Sequence, residues 1–162
     1  MSVIAWPVEP FAVSDMLHAL EETVEEMQST SMSALADAEL RELMHSVERV
    51  GSKLRVVSHN VVTEVASRGS YSEWGYRSVT SMRTVELHRS SAESRRRVRV
   101  ASAACPTTGI TGEVTEPRHF DVAMGIYDGT LSEQSADAVL TVLDKIPSAV
   151  DDDVRVSAEA TM

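Results

Sequence analysis

The sequence predicts an all-α fold in which a long amphipathic helix packs on an N-terminal helix and a cluster of short helices follows. Three observations indicate this fold. Aromatic residues make up only 4 % of the 162 residues, so Leu, Val, Met and Ala must fill the interior, which favours helix-on-helix packing. Apolar residues recur at intervals of three and four along several segments. Serine, glycine and proline stand at the ends of these segments, where helices begin and end.

The longest predicted helix spans residues 35–66, and its apolar side chains alternate steps of three and four residues. This is the a/d pattern of a coiled coil or an antiparallel bundle. A first helix at residues 14–28, with Ser14 as its N-cap, is only about half as long and cannot cover the whole apolar row. We therefore predict a homodimer. The predicted interface, called the seam below, consists of Leu43, Val47, Val50, Leu54, Val57 and Val61.

Two shorter helices are predicted at residues 78–87 and 92–104, because Ser78 and Ser91 are suitable N-caps and a proline ends the second helix. They are joined by a short turn. Two helices of these lengths with such a turn have the dimensions of a helix-turn-helix, whose second helix enters the major groove of DNA.

Three further helices are predicted after an irregular loop at residues 106–118, in which we expect no strand. Residues 120–127 form the first of them. Ser132 caps the second, which Pro147 ends. The third begins at residue 151, where consecutive aspartates suit the positive end of a helix dipole.

The net charge of −10 is unevenly distributed along the chain. Residues 1–50 carry ten acidic and two basic side chains, and residues 101–162 carry eleven acidic and three basic ones. The middle segment, residues 51–100, carries ten basic and only four acidic side chains. A basic segment between acidic ends can bind phosphate, or it can be neutralised within the fold or across a dimer.

Cysteine usage and the N-terminus indicate the compartment. Cys105 is the only cysteine, so no intrachain disulfide is possible, which fits a reducing environment. Residues 1–10 lack the basic and apolar regions of a signal peptide. No segment approaches the ~20 apolar residues that a membrane span needs. We expect a cytoplasmic protein that has no membrane partner.

The second short helix of the pair carries a cluster of arginines that could contact double-stranded DNA. Arg95, Arg96 and Arg99 occupy adjoining positions on one face, and guanidinium groups bind guanine and phosphate. Arg83 and Arg89 could add contacts to the DNA backbone. These five arginines are the predicted DNA-binding residues.

A second interpretation assigns the same arginines a structural role. They could form a solvated face, cover apolar surface with their stems, or pair with acidic helices through residues such as Glu21 and Glu25. The strongly acidic composition of the whole chain favours this interpretation slightly.

The sequence contains no recognisable catalytic constellation. A nuclease of the HNH type needs histidines that hold a metal ion and activate water, but the five histidines of this chain are isolated. No phosphate-binding glycine loop, serine-nucleophile motif or C-x-x-C motif occurs. We therefore expect no enzymatic activity, no cofactor and no metal site. The histidines are His18, His45, His59, His88 and His119.

Six short motifs occur in a fixed order and spacing. They are Gly75-Tyr76-Arg77-Ser78, Ser91-Ala92-Glu93 with Arg95-Arg96-Arg97-Val98-Arg99, Thr111-Gly112-Glu113, Gly129-Thr130-Leu131-Ser132, Leu143-Asp144-Lys145-Ile146-Pro147 and Ala158-Glu159-Ala160. In this order they resemble the domain of unknown function 222, also called the 13E12 repeat family. Larger members of that family carry a helical domain ahead of an HNH endonuclease module.

The resemblance implies a domain organisation and a function. Residues 1–34 would form an acidic helix and linker, and residues 35–162 the family domain, cut short before the nuclease module. The expected function is a non-catalytic helical module that associates with DNA, and the alternative is a dimerisation module with no nucleic-acid role. Two positions depart from the family pattern: Met82 replaces a usual tryptophan, and His88-Arg89 replaces a usual Gly-Leu turn.

Overall fold

The computed structural model describes residues 10–108, 113–146, 157 and 159–161, and of residues 10 and 11 it describes the backbone alone. The described chain is helical, so the prediction of an all-α fold is confirmed. The helices are α1 Pro10–Ser29, α2 Asp37–Arg68, α3 Ser70–Glu73, α4 Val79–Val85, α5 Ser91–Ala104, α6 Phe120–Asp128 and α7 Glu133–Leu143. The strands are β1 Thr107–Thr108 and β2 Val114–Thr115, which pair antiparallel.

The chain divides into two compact units, and the boundary lies inside α2. The first unit ends at Glu42 and contains α1, whose apolar side chains Met16 and Leu17 are exposed. The second unit begins at Leu43 and contains the rest of α2 and all later elements. The candidate site described below lies within the second unit. Among the described residues, no helix has the length and apolar character needed to cross a membrane.

Some predicted boundaries were wrong for local reasons. Helix α1 spans Pro10–Ser29 in the described chain, so Ser14 lies inside the helix and is not its N-cap. Helix α5 is capped by Ser90, whose hydroxyl accepts a hydrogen bond from the amide of Glu93, and not by Ser91. The two strands stand where no strand was expected, although each has only two residues. The predicted helix from residue 151 lies outside the described residues except at 157 and 159–161, which are helical.

Two predicted N-caps are observed, whereas α4 ends at Val85 instead of residue 87, and α7 ends at Leu143, before Pro147, which lies outside the described residues. Ser78 caps α4 through a reciprocal capping box with Ser81, and the hydroxyl of Ser132 accepts a hydrogen bond from the amide of Ser135. Helix α6 ends at Asp128, and Gly129 is its C-cap with a φ of 76°. Gly129 also packs closely on α2, because an added Cβ would lie 3.2 Å from the carbonyl oxygen of Arg49. This contact sets α2 against the turn between α6 and α7.

Two apolar clusters hold the second unit together. The larger cluster joins α5, α6 and α7, and the smaller one joins α2, α4 and α5. Met82 is a buried member of the smaller cluster. The larger cluster contains Val100, Ala103, Ala104, Val122, Ile126, Ala136 and Leu140. The smaller cluster contains Val62, Val79, Met82 and Ala101.

The turn between α4 and α5 contains a left-handed residue, His88, whose φ is 51°. L-residues other than glycine rarely adopt this conformation, because Cβ then approaches the following carbonyl oxygen. Histidine is among the residue types that tolerate it best. The turn therefore has a backbone shape that glycine adopts more easily than histidine.

Glu159, from the last of the quoted motifs, caps α6. Its Oε1 accepts a hydrogen bond from the amide of Val122 at 3.1 Å, and its Oε2 lies 3.0 Å from Nδ1 of His119. A carboxylate at a helix N-terminus satisfies an otherwise unpaired amide and interacts well with the helix dipole. Glu159 is thus held on α6 by its largely buried carboxylate.

Candidate functional site

The structure places two of the predicted DNA-binding arginines, Arg96 and Arg99, against the acidic face of α7. Arg99 donates from Nη1 to Oδ1 of Asp137 at 2.9 Å and from Nη2 to Oδ2 of Asp144 at 2.7 Å. Nε of Arg96 lies 3.5 Å from Oδ2 of Asp137. These arginines are partly exposed but are engaged within the fold. The carboxylates that contact them are Asp137 of α7 and Asp144, the residue that follows α7.

The remaining three predicted DNA-binding residues lie in different environments. Arg95 is exposed on α5, and Arg89 is exposed at the end of the turn, where its Nη1 lies 3.8 Å from Oε1 of Glu93. Arg83 is buried in α4, with only 6 % of its surface exposed. The structure therefore does not bring the five arginines onto one open surface. Of these five, Arg89 and Arg95 are the exposed ones.

A buried ionic network lies where α2, α5 and α7 meet. Oε2 of Glu133 in α7 lies 2.5 Å from Nε of Arg97 and 3.4 Å from Nε2 of His59. Neither contact has the angle and length of a good hydrogen bond, so both are mainly electrostatic. Arg97 also donates from Nη1 to Oγ of Ser58 at 2.9 Å.

Burial and charge act in opposite directions on Glu133. Burial by itself would raise the pKa of this carboxyl, because removal from water disfavours the charged form. The imidazole of His59 and the guanidinium groups of Arg97 and Arg55 outweigh that effect, so the pKa of Glu133 is lowered. The network is thus built around an ionised carboxylate.

A basic cleft opens beside this network, with a volume of about 550 Å³. It lies between α2, α4, the following turn and the first half of α5. Four arginines line it, against two glutamates, so its lining has a formal surplus of two positive charges with His88 neutral. The lining residues are Arg55, Ser58, Arg83, Glu86, Leu87, His88, Arg89, Glu93 and Arg97.

Arg83 is the most unusual residue of the basic cleft. Its Nε is buried without a hydrogen-bond partner, and within the part of the chain that the structure describes its guanidinium has no ion pair within 4.0 Å. Burial lowers the pKa of Arg83, and the nearby positive charge of Arg97 lowers it further, while Glu133 and Glu93 act in the opposite direction. A buried cation whose charged form is also disfavoured by a neighbouring cation is energetically costly unless an anion accompanies it.

The seam of α2 is exposed. Val47, Val50, Leu54, Val57 and Val61 are each between 38 and 57 % exposed, and Leu43 is half-buried. The opposite face of α2 provides the buried contacts instead. That face contributes Val56, His59 and Val62 to the interior.

Sequence reasoning missed the buried face of α2 and the basic cleft. Val56, His59 and Val62 recur every three residues, so a second stripe could have been recognised beside the more regular seam. The cleft had no such signal. It combines side chains up to 42 residues apart in the chain, between Arg55 and Arg97, which only the tertiary packing brings together.

Metal-binding clusters and an activated cysteine are not observed in the described part of the chain. Among the described residues, no group of three or more His, Cys, Asp and Glu side chains could hold a metal ion. Cys105 is buried at the end of α5, and burial raises the pKa of its thiol, which disfavours the nucleophilic thiolate. No family model, curated protein or solved structure matches this chain.

Proposed function

We propose that this chain is a non-catalytic helical assembly module, which forms a homodimer through the seam of α2. The observation that carries the proposal is the exposure of five regularly spaced Val and Leu side chains on one face of a 32-residue helix. Large contiguous apolar surfaces on a soluble domain usually mark an interaction site. Single exposed apolar residues are common on protein surfaces and would not indicate an interaction site, but these five form a continuous row.

The spacing of the seam favours another helix as its partner. Steps of three and four residues keep one row of side chains facing a second helix over several turns. The positions beside the seam are mostly uncharged, so a second copy would meet no row of like charges. The flanking residues are Met44, Ser46, Gly51, Lys53, Ser58 and Asn60, of which only Lys53 is charged.

A second copy of the same chain is the occupant that fits best. A two-fold axis places the same surface of both copies in contact, so a self-complementary apolar row covers itself completely. Helix α1, with 20 residues, is shorter than α2, and the seam residues of the second unit remain exposed in the structure of the single chain. An identical α2 matches the seam in both length and composition.

Replacement of Val50 and Leu54 by aspartate tests this proposal. Four charges would then lie in the centre of the dimer interface, so sedimentation velocity should show single chains. Both side chains are exposed and belong to neither apolar cluster, so the helical circular dichroism signal should be retained.

The matched control replaces Val85 and Val114 by aspartate. These side chains are 60 and 66 % exposed and lie away from the seam. The control adds the same charge and should remain dimeric. Dissociation of both double variants, or of neither, would contradict the assignment of the interface to the seam.

Association with duplex DNA is the second candidate function, supported by the arrangement of α4 and α5. Five residues join these helices, and Arg89 and Arg95 are exposed near the start of α5, where a recognition helix would contact DNA. Arg96 and Arg99 would have to leave their carboxylate partners on α7 to take part. The geometry therefore supports assembly more strongly than DNA binding.

Salt dependence tests the second candidate. If Arg89 and Arg95 contact phosphates, the double alanine variant should lower the slope of log affinity against log salt by about 1.8, at about 0.9 for each contact. The double alanine variant of Arg96 and Arg99 is the control, which should keep the slope and lose stability. Absence of wild-type binding at low salt would exclude this function for the chain.

A further inference from the structure

The basic cleft contains a buried cation that has no ion pair among the described residues. Arg83 is 94 % buried, its Nε has no hydrogen-bond partner, and no carboxylate of the described residues lies within ion-pair distance of its guanidinium, although Glu133 and Glu93 act on it from farther away. Its remaining surface contributes to the wall of the cleft. A fold that needed only an apolar side chain here would gain stability from methionine or leucine, since a buried charge without a partner is costly. An anion in the cleft would remove that cost.

The other arginines of the cleft leave room for such an anion. Arg97 is already engaged by Glu133 and Ser58, so it adds positive potential and few free donors. Arg55 is exposed and has no ion pair in the described structure, and Arg89 makes only a long contact of 3.8 Å with Glu93. Three guanidinium groups without a close carboxylate partner among the described residues therefore line the cleft. They belong to Arg55 of α2, Arg83 of α4 and Arg89 of the turn.

We propose that the basic cleft binds a small molecule through a phosphate monoester group, with Arg55, Arg83 and Arg89 as its ligands. A dianionic tetrahedral group suits guanidinium groups that come from three separate elements, because each can donate two parallel hydrogen bonds to it. Leu87 supplies an apolar wall for the organic part of the molecule. This binding activity is independent of dimer formation through the seam.

The surroundings favour a small molecule over duplex DNA. A cleft of about 550 Å³ lies within the range of small-molecule sites. Glu86 and Glu93 also line it, and their carboxylates would repel the continuous rows of phosphates in a duplex. A single phosphate group can instead contact the arginines of the cleft.

Calorimetric titration of the full chain with inorganic phosphate and with phenyl phosphate tests the proposal. Both should bind, and phenyl phosphate should bind more tightly because of the apolar wall. Arg55→Ala and Arg89→Ala should each weaken binding at least about tenfold, since one charge-assisted hydrogen bond contributes that much. Arg95→Ala, an exposed arginine of α5 outside the cleft lining, is the matched control and should bind as the wild type does.

Thermal melts test the role of Arg83 separately, because this side chain is buried and its replacement also changes the stability of the fold. Arg83→Met should melt at a higher temperature than the wild type in phosphate-free buffer, because it removes a buried cation without a partner. Added phenyl phosphate should raise the melting temperature of the wild type and leave that of the variant unchanged.

Three results would overturn the proposal. The site would be excluded if the wild-type protein bound neither phosphate compound at about 10 mM, a concentration on the order of the weakest dissociation constant that still indicates a site. Equal binding by the Arg55, Arg89 and Arg95 variants would indicate an adventitious ion only. Binding of a short duplex without terminal phosphates, with the same dependence on Arg55 and Arg89, would assign the cleft to nucleic acid.

Discussion

Nε of Arg97 in α5 lies 2.5 Å from Oε2 of Glu133 in α7, and both side chains are largely buried. The same carboxylate oxygen lies 3.4 Å from His59 of α2, so a single carboxylate connects three helices. The ion pair between Arg99 and Asp144 also links α5 to the C-terminal end of α7, but the Asp144 side chain is about half exposed. These two contacts should therefore differ sharply in their contribution to stability.

Replacement of Glu133 by glutamine should lower the free energy of unfolding by about 3–5 kcal/mol, because Arg97 would remain buried without its counter-charge. Asp144→Asn is the matched control. Its ion pair is screened by solvent, so the loss should stay below about 1 kcal/mol. Urea denaturation of the three proteins measures both values. Equal losses in the two variants would show that the buried network has no special role.

The pH dependence of stability should depend on the same carboxylate. The folded state lowers the pKa of Glu133, so its ionised form favours folding above the ordinary value of 4.5. This contribution is lost as the pH falls below 4.5 and through the lowered pKa of the folded state. The difference in unfolding free energy between wild type and Glu133→Gln should be constant from pH 7 to about 5 and should decrease below that range. A difference that increases at acidic pH would contradict the ionised network.

His88→Gly should stabilise the protein by several tenths of a kcal/mol to about 1 kcal/mol. The φ of 51° is strained for histidine and not for glycine, and this gain exceeds the extra freedom of glycine in the unfolded chain. Arg89→Gly is the control at the next position, which is not among the residues with positive φ, and it should destabilise. Thermal melts in phosphate-free buffer separate this effect from any ligand bound in the cleft.

The sequence was a good guide where structure depends on local pattern. The long helix predicted at residues 35–66 is observed at Asp37–Arg68, and the cap at Ser132 is observed as predicted. Both depend on side-chain periodicity and hydrogen bonds between residues three positions apart. Ser14 was wrong as a cap because a capping residue type is also tolerated inside a helix, and residues 10–13 before it are already helical.

The site could not be predicted in the same way, because its contacts are long-range. Arg99 and Asp144 are 45 residues apart, and nothing in the local sequence pairs them. The seam was identified correctly as an apolar row, but periodicity does not tell whether such a row faces the interior or another chain. The less regular stripe with Val56, His59 and Val62 is buried because α4, α5 and α7 supply its partners.

Sedimentation equilibrium of the wild-type chain across a wide range of concentrations tests the assembly proposal most directly. We expect a mass of about twice the 17.7 kDa of the chain at high concentration, with reversible dissociation on dilution. The V50D/L54D variant should have the mass of one chain throughout. A wild-type mass of 17.7 kDa at every concentration would contradict the account, because the seam would then have no second copy to cover it.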